Sequence, residues 1–439
     1  MGEPTVDPRT KLSTLSTGTE VEITRPDGRT WHGILVPSTE FSGDNVVVLK
    51  LTSGYNVGLR ITEADVLTVI GKPRRTRTPK TTSESATVAP AVPAIPWVAL
   101  MTTGGTIASR VDYQTGGVKP VRDEREILDA FPTLDTEGPV HVIPVFERFS
   151  EDIVPSDWVA LAEKIGESFR QGARGVVVAH GTDTLGFTAA ALSFMVRNPP
   201  GPVVLVGAQR SPDRPSSDGF TNLPAAIHLA RSGNLGEVVV VMHGGVSDDR
   251  FAIHRGARVR KMHSSRRDAF ESRNAPPLGY IEGKHIELGS EARRPSGAPL
   301  RIESHLDDRA VLVTYYPGLS PARLRRLVRN ERGLVIAGTG LGHVSRTHLR
   351  PLQGMIAKGL IVAMTTQCLG GGTDPYVYAT GRDLVKAGVV YLDDLLPESA
   401  YAKMLWALGQ TDDPARVRSL LLEDQVGEFV NRRRLEAPP

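Results

Sequence analysis

The feature that most limits how this chain can fold is a recurring pattern of short, nearly uninterrupted apolar runs separated by longer stretches with helical periodicity. The runs are Trp97-Val98-Ala99-Leu100-Met101, Gly175-Val176-Val177-Val178-Ala179, Val203-Val204-Leu205-Val206 and Glu237-Val238-Val239-Val240-Val241-Met242. Further on come Val311-Leu312-Val313-Thr314-Tyr315, Gly333-Leu334-Val335-Ile336-Ala337 and Leu360-Ile361-Val362-Ala363-Met364. A strand apolar on both sides needs cover on both faces, which is the condition of a parallel sheet flanked by helices. Between two of these runs, Pro155-Ser156-Asp157 opens a helix. Trp158, Leu161, Ala162, Ile165 and Phe169 recur on one of its faces, and Gly172 ends it. The length fits two α/β lobes, residues 96–290 and a smaller 291–439. The break falls near 285–305, where Arg293-Arg294-Pro295-Ser296-Gly297 reads as loop.

The region upstream is different. Glu20–Ile23, Trp31–Val36, Asn45–Leu51 and Tyr55–Leu59 read as short strands parted by Pro26-Asp27-Gly28 and Ser53-Gly54, so residues 1–72 predict a small antiparallel all-β barrel. Residues 73–95 are a Pro/Ser/Thr-rich linker that cannot build a core. Its basic flank (Lys72, Arg74, Arg75, Arg77, Lys80) is expected to be a solvated tether.

Composition excludes several classes. With 40% hydrophobic and 23% charged residues in 439, the chain can bury more than one core. One cysteine, Cys368, allows neither an intrachain disulfide nor a Cys-rich zinc site, and it reads as a buried small apolar residue. No run reaches the roughly 18 apolar residues of a membrane span, and the start has no secretory pattern, so a cytoplasmic chain without membrane contact is expected. A net charge of +3 and a pI near 8.9 do not by themselves argue for nucleic-acid binding. The basic groups Arg255, Arg258, Arg260, Arg266 and Arg267, like the tail Arg432-Arg433-Arg434, leave RNA, a partner and water all open. No G-x-x-x-x-G-K-[ST], H-E-x-x-H or G-x-S-x-G occurs, which removes those ATP, zinc and serine templates from this chain. Gly338-Thr339-Gly340-Leu341-Gly342 lacks dinucleotide spacing and reads as a tight turn.

Chemistry in an open α/β sheet gathers at the carboxyl ends of the strands. After Met101 comes Thr102-Thr103-Gly104-Gly105-Thr106-Ile107-Ala108, and after Ala179 comes His180-Gly181-Thr182-Asp183-Thr184-Leu185. Either alone is a glycine turn with a capping hydroxyl. Two such turns on neighbouring strands, with Asp183 beside Thr182, point to a reacting site whose glycines bring backbone N–H groups close to a substrate. Arg258-Val259-Arg260-Lys261-Met262-His263-Ser264-Ser265 would by itself be an ordinary basic loop.

These runs resemble the two signature motifs of the asparaginase/glutaminase family, and Lys261, in a segment ending Arg267-Asp268-Ala269-Phe270, is similar in placement to that family's lysine. The resemblance spans about residues 96–410 and implies an asparaginase-like two-lobed parallel-sheet enzyme. The N-terminal barrel is foreign to plain asparaginases. Together with Val206–Asp218, Gly338–Ser345 and Thr366-Gln367-Cys368-Leu369 it resembles the amidotransferase branch of the family, whose members supply ammonia for glutamyl-tRNA(Gln) amidation.

The resemblance implies that a threonine attacks a side-chain amide, which requires a nearby base and an orienting charge. Thr103 would be the nucleophile, supported by Tyr113, while Thr182, Lys261 and Asp183 would form a proton relay. Ser150 and Glu151 would contact the substrate's carboxylate and ammonium. Which threonine attacks first stays open, with Thr103 favoured, and so does the charge state of Lys261, because burial and Asp183 act in opposite directions. The glutamate that classical bacterial asparaginases lend from a neighbouring protomer has no counterpart in Gln367-Cys368-Leu369-Gly370. The same resemblance implies glutamine as substrate, no cofactor on this chain, and ATP and Mg2+ on a partner subunit that carries most of the tRNA contact. A homodimer flanked by two such partners, a heterotetramer, is the implied assembly. A stand-alone cytoplasmic L-asparaginase is the alternative, and a catalytically silent scaffold is disfavoured by the intact Thr103, Thr182, Asp183 and Lys261.

Overall fold

The computed structural model describes residues 15, 18–36, 46–51, 56–71, 96–104, 109–111, 118–120, 138–210 and 217–430. The linker, Tyr113 and the tail Arg432–Arg434 lie outside them.

The N-terminal strands are β1 (Glu20–Thr24), β2 (Thr30–Val36), β3 (Val46–Leu51), β4 (Asn56–Arg60) and β5 (Val66–Gly71). They form one antiparallel sheet in the order β4-β3-β2-β1-β5. Alternation builds its core: in β1, Val21 and Ile23 turn inward onto Leu35, Leu49, Leu59 and Leu67, while the residues between them face out. The sequence pattern gives no sign of β5. Only Leu67 of its residues is buried, and Val66 and Ile70 are exposed, so it carries no clean period.

In the first lobe the chain runs through β6 (Trp97–Thr102), β7 (Val140–Pro144), α1 (Pro155–Arg170), β8 (Ala173–Ala179), α2 (Leu185–Met195), β9 (Val203–Val206), α3 (Gly219–Ser232) and β10 (Val238–His243). Strands β10, β9, β8, β6 and β7 lie side by side and parallel, and every residue of β6, β9 and β10 is buried, as the apolar runs require. Helix α1 buries Trp158, Leu161, Ala162, Ile165 and Phe169, the face its periodicity marks.

The sheet then changes direction. β11 (Arg250–Arg255) returns antiparallel to β10, and two later strands, Gly279–Glu282 and His285–Leu288, extend the same edge antiparallel, giving eight strands in all. Sequence patterning misses this extension because its strands alternate or are short, without the continuous apolar run of a doubly covered strand. Between β11 and that extension, β12 (Val259–Lys261) pairs antiparallel with β13 (Phe270–Ser272). The second lobe is a four-stranded parallel sheet made by Ala310–Thr314, Gly333–Gly338, Ile361–Thr366 and Val390–Tyr391.

One hydrophobic cluster joins the two lobes. Phe194 of α2 stacks on Trp406, in the helix Pro397–Gln410, at 5.9 Å between ring centroids, with Leu405, Ala407 and Leu408 beside them. One reading is corrected, and one left open is narrowed. Cys368 is exposed, because it falls two residues beyond the end of its strand, where its N–H caps onto Thr366 Oγ1 at 3.1 Å. The arginines 255–267 are not a basic patch, since each has its own carboxylate: Glu237, Asp394, Glu398, Asp268 and Asp248 pair with Arg255, Arg258, Arg260, Arg266 and Arg267. Among the described residues no helix is long and apolar enough to cross a membrane.

Candidate active site

The two threonine turns are built at the carboxyl ends of adjacent parallel strands. β6 delivers Thr103, and β8, paired with it in register from Gly175 against Val98 to Ala179 against Thr102, delivers Thr182. Thr103 is fully buried, and its hydroxyl donates to the Ala179 carbonyl at 3.0 Å. The next residue, Gly104, has φ +89°, and a Cβ there would stand 2.5 Å from the Arg148 carbonyl oxygen, so only glycine fits this turn.

Lys261 reaches in from the end of β12. Its Nζ donates to Thr182 Oγ1 at 2.8 Å and to Asp183 Oδ1 at 2.7 Å. Thr182 is buried, the Lys261 side chain is 14% exposed and that of Asp183 68% exposed, so Nζ bridges a buried hydroxyl and a carboxylate at the solvent edge. The structure thus brings Thr182, Asp183 and Lys261 together, with Thr103 one strand away and hydrogen-bonded elsewhere. Tyr113 lies outside the described residues.

Ser150 and Glu151 sit in a short helical turn, Ser150–Asp152, placed against the second motif. Thr184 Oγ1 donates to the Ser150 carbonyl at 2.6 Å, and a Cβ on Gly181 would come within 2.7 Å of Ser150 Cβ. The glycine of this motif is therefore a packing requirement that lets the Ser150 turn close on it. Ser150 is buried, Glu151 is exposed, and the Ser150 hydroxyl points to Glu151 Oε2 at 3.4 Å.

Behind the second motif runs a chain of neutral hydrogen bonds that sequence reading does not assign. Trp158 Nε1 donates to Thr188 Oγ1 at 3.0 Å, and Thr188 Oγ1 is 2.9 Å from His180 Nε2. His180 Nδ1 is 2.7 Å from the Gly181 carbonyl, which can only accept, so the proton is on Nδ1 and Nε2 accepts from Thr188. Burial pushes the imidazole down to about 4, which keeps it neutral near pH 7. A second network holds the neighbouring turn. Asp218 accepts from the backbone N–H groups of Gln209 and Arg210, and Asn222 Nδ2 donates to the Gly207 carbonyl at 3.0 Å. His243 joins Asn222 Oδ1 (2.7 Å) to Asp248 Oδ1 (2.8 Å), and Arg267, on the loop that follows Lys261, donates to the same Asp248 oxygen. The signal available in sequence is a polar residue on an apolar element: Thr188 within α2 and His243 at the end of β10.

A parallel sheet with two hydroxyl-bearing glycine turns at its carboxyl end, one of them bonded through its threonine and aspartate to a lysine, defines a protein of the asparaginase class. Comparison with known families agrees: the asparaginase N-terminal family matches residues 97–294, the glutaminase/asparaginase C-terminal domain matches 309–421, and the GatD N-terminal domain matches 15–70. The chain is 42% identical over 427 residues to the GatD-type subunit of glutamyl-tRNA(Gln) amidotransferase from Thermofilum pendens, covering 95% of this chain and 94% of that one. With its counterpart from Pyrococcus abyssi it shares 41% identity over 440 residues, 97% of each. Among solved structures it is similar to the thermostable L-asparaginase of Thermococcus kodakarensis, with a TM-score of 0.70, 34% identity, and 76% of this chain covered against 100% of that one. L-asparaginase I of Vibrio cholerae follows with a TM-score of 0.67, 28% identity, and 77% against 100%. The chain belongs to the asparaginase family, in the GatD branch of glutamyl-tRNA(Gln) amidotransferase subunits.

Proposed function

We propose that this chain is the glutaminase subunit of a glutamyl-tRNA(Gln) amidotransferase, releasing ammonia for a GatE-like partner subunit. The partner would bind ATP and Mg2+, activate the glutamate of Glu-tRNA(Gln) and make most of the tRNA contact. The observation that carries the reading is the Thr182–Lys261–Asp183 cluster one strand from Thr103, on a chain that also has the GatD N-terminal domain.

In this reading the Thr103 hydroxyl leaves the Ala179 carbonyl and its oxygen attacks the carboxamide carbon of glutamine. Backbone N–H groups of the glycine turns hold the oxyanion. The proton lost by the Thr103 hydroxyl passes to the Lys261–Thr182 relay and from it to the amide nitrogen; the C–N bond breaks, the nitrogen departs as ammonia, and a γ-glutamyl ester remains on Thr103. Water attacks that ester, passing a proton back to the relay; glutamate leaves and Thr103 regains its hydroxyl proton. Asp183 holds Lys261 in line, Tyr113 supports Thr103, and Ser150 and Glu151 hold the α-carboxylate and α-ammonium of the substrate. No cofactor on this chain is needed for these steps. Two copies of this chain with two partners, in the cytoplasm, are the proposed assembly.

The likeness to L-asparaginases supports the second reading, a free asparaginase with an accessory domain. Ammonia release from glutamine and asparagine, by the chain alone and then with partner, Glu-tRNA(Gln) and ATP, separates the two. Glutamine turnover that rises sharply with partner and tRNA is the expected result; vigorous asparagine hydrolysis indifferent to both would overturn it.

A further inference from the structure

At the opposite end of the first-lobe sheet, where β9 and β10 begin, a cleft of about 120 Å³ opens between the lobes. Its lining is unbalanced: Arg197, Arg255, Arg293 and Arg294 face it, and Glu237 is the one acid. That acid is already committed, since Glu237 takes the Arg255 guanidinium at 2.8 Å and the Arg293 backbone N–H at 2.8 Å.

The other three guanidiniums bind neutral oxygens. Arg197 Nη2 donates to Gln425 Oε1 at 3.2 Å, Arg293 Nη1 to the Gln425 carbonyl at 3.3 Å, and Arg294 Nη1 to the Asn234 carbonyl at 2.8 Å. Arg293 also forms a long ion pair with Asp424, at 3.8 Å. Among the described residues Arg197 and Arg294 form no ion pair, and Arg197 Nη1 is buried without a hydrogen-bond partner. This contrasts with Arg255–Arg267, where each guanidinium has its carboxylate. Burial pulls Arg197 below the ordinary guanidinium range, against the opposing pull of Glu303 and Glu428. Three arginines line this one cleft, and planar guanidiniums suit the oxygens of a tetrahedral oxyanion.

We propose that this cleft binds a phosphate group through Arg197, Arg293 and Arg294, the phosphate being either free or part of an RNA backbone. The site is remote from the threonine turns and does not depend on the amide chemistry proposed for them. The test uses the full-length chain and inorganic phosphate at constant ionic strength, followed by thermal melting. A saturable rise in Tm is expected, with affinity weakened at least about tenfold in Arg197→Gln and in Arg294→Gln, the loss of one charge-assisted contact. Arg294 is exposed and tethers no buried group, so its variant keeps the test valid should Arg197→Gln fold poorly, and near-ultraviolet circular dichroism checks both. A second arm titrates a labelled short RNA by anisotropy. RNA binding that phosphate displaces and both variants weaken assigns the site to a nucleic-acid backbone; saturable phosphate binding with RNA indifferent to the variants assigns it to free phosphate. A Tm without saturable response, or one that responds equally in wild type and both variants, overturns the proposal.

Discussion

Two regions of this molecule bury polar groups, and they do so in opposite ways. Behind the second threonine motif the chain Trp158–Thr188–His180–Gly181 is neutral throughout, each donor meeting one acceptor. In the C-terminal segment the groups are ions. Lys403 and Glu428, both 0% exposed, pair at 2.6 Å; Lys403 also donates to the Glu423 carbonyl, and Glu428 accepts from the N–H groups of Gln425 and Val426. Burial acts against both charges, pushing Lys403 down and Glu428 up. Beside them Arg258 binds Asp394 at 2.6 Å and the Glu428 carbonyl. A neutral network fixes a turn without adding a charge that would compete with one developing on a substrate. A buried ion pair adds little net stability but penalises any arrangement that separates it, so it specifies placement. Here it locks residues 423–430 against Arg258, three residues before Lys261, and so holds the strand that carries the lysine.

The largest effect should come from the cluster both regions serve. Lys261→Ala and Thr182→Ala are each expected to lower ammonia release by about three orders of magnitude, in the range of losing a positioned acid–base group, with near-ultraviolet circular dichroism checking that each variant stays folded. Either variant retaining near-normal turnover would break the assignment.

Next comes the ionic clasp. Lys403→Met leaves Glu428 buried and uncompensated and should cost about 3–5 kcal/mol in urea unfolding, whereas pairing it with Glu428→Leu should restore most of that loss. A double variant as unstable as the single would show that packing, not charge, holds the segment.

The neutral network should be gentler. Thr188→Val strands the Trp158 N–H and His180 Nε2 and should cost about 1–3 kcal/mol. Because the turn it supports carries Thr182, kcat is expected to fall while the position of the pH optimum stays put; a shift of the optimum would mean that His180 titrates in the reaction.

The last effect is in acid. His180 and His254 are both pushed by burial from 6.5 to about 4. Above 6.5 folded and unfolded chains alike hold them neutral. Between 6.5 and 4 the unfolded chain takes up protons the folded one refuses, so stability falls with pH, by about 1.4 kcal/mol per unit for each histidine. Replacing His254 by Gln should lower the slope by about 1.4 kcal/mol per pH unit in urea melts between pH 6.5 and pH 5; an unchanged slope would mean other groups dominate.

What the sequence determined by itself is what local pattern encodes. Continuous apolar runs give buried parallel strands, because a strand apolar on both sides has nowhere else to go. Thr-Gly-Gly and His-Gly-Thr-Asp at the ends of two such runs give the turns, because Gly104 and Gly181 sit where a Cβ collides with Arg148 and Ser150. What tertiary structure decided was pairing. Nothing local says that Lys261 would meet Thr182 and Asp183, 79 and 78 residues earlier in the chain, or that Arg258 would find Asp394 while Arg197, among the described residues, forms no ion pair. Nor could composition place Cys368 outside rather than inside, or β5 and the antiparallel edge in their sheets. Hydrophobic periodicity is a property of neighbouring residues, whereas the charge and hydrogen-bond partners of a side chain depend on which distant elements the packed core brings beside it.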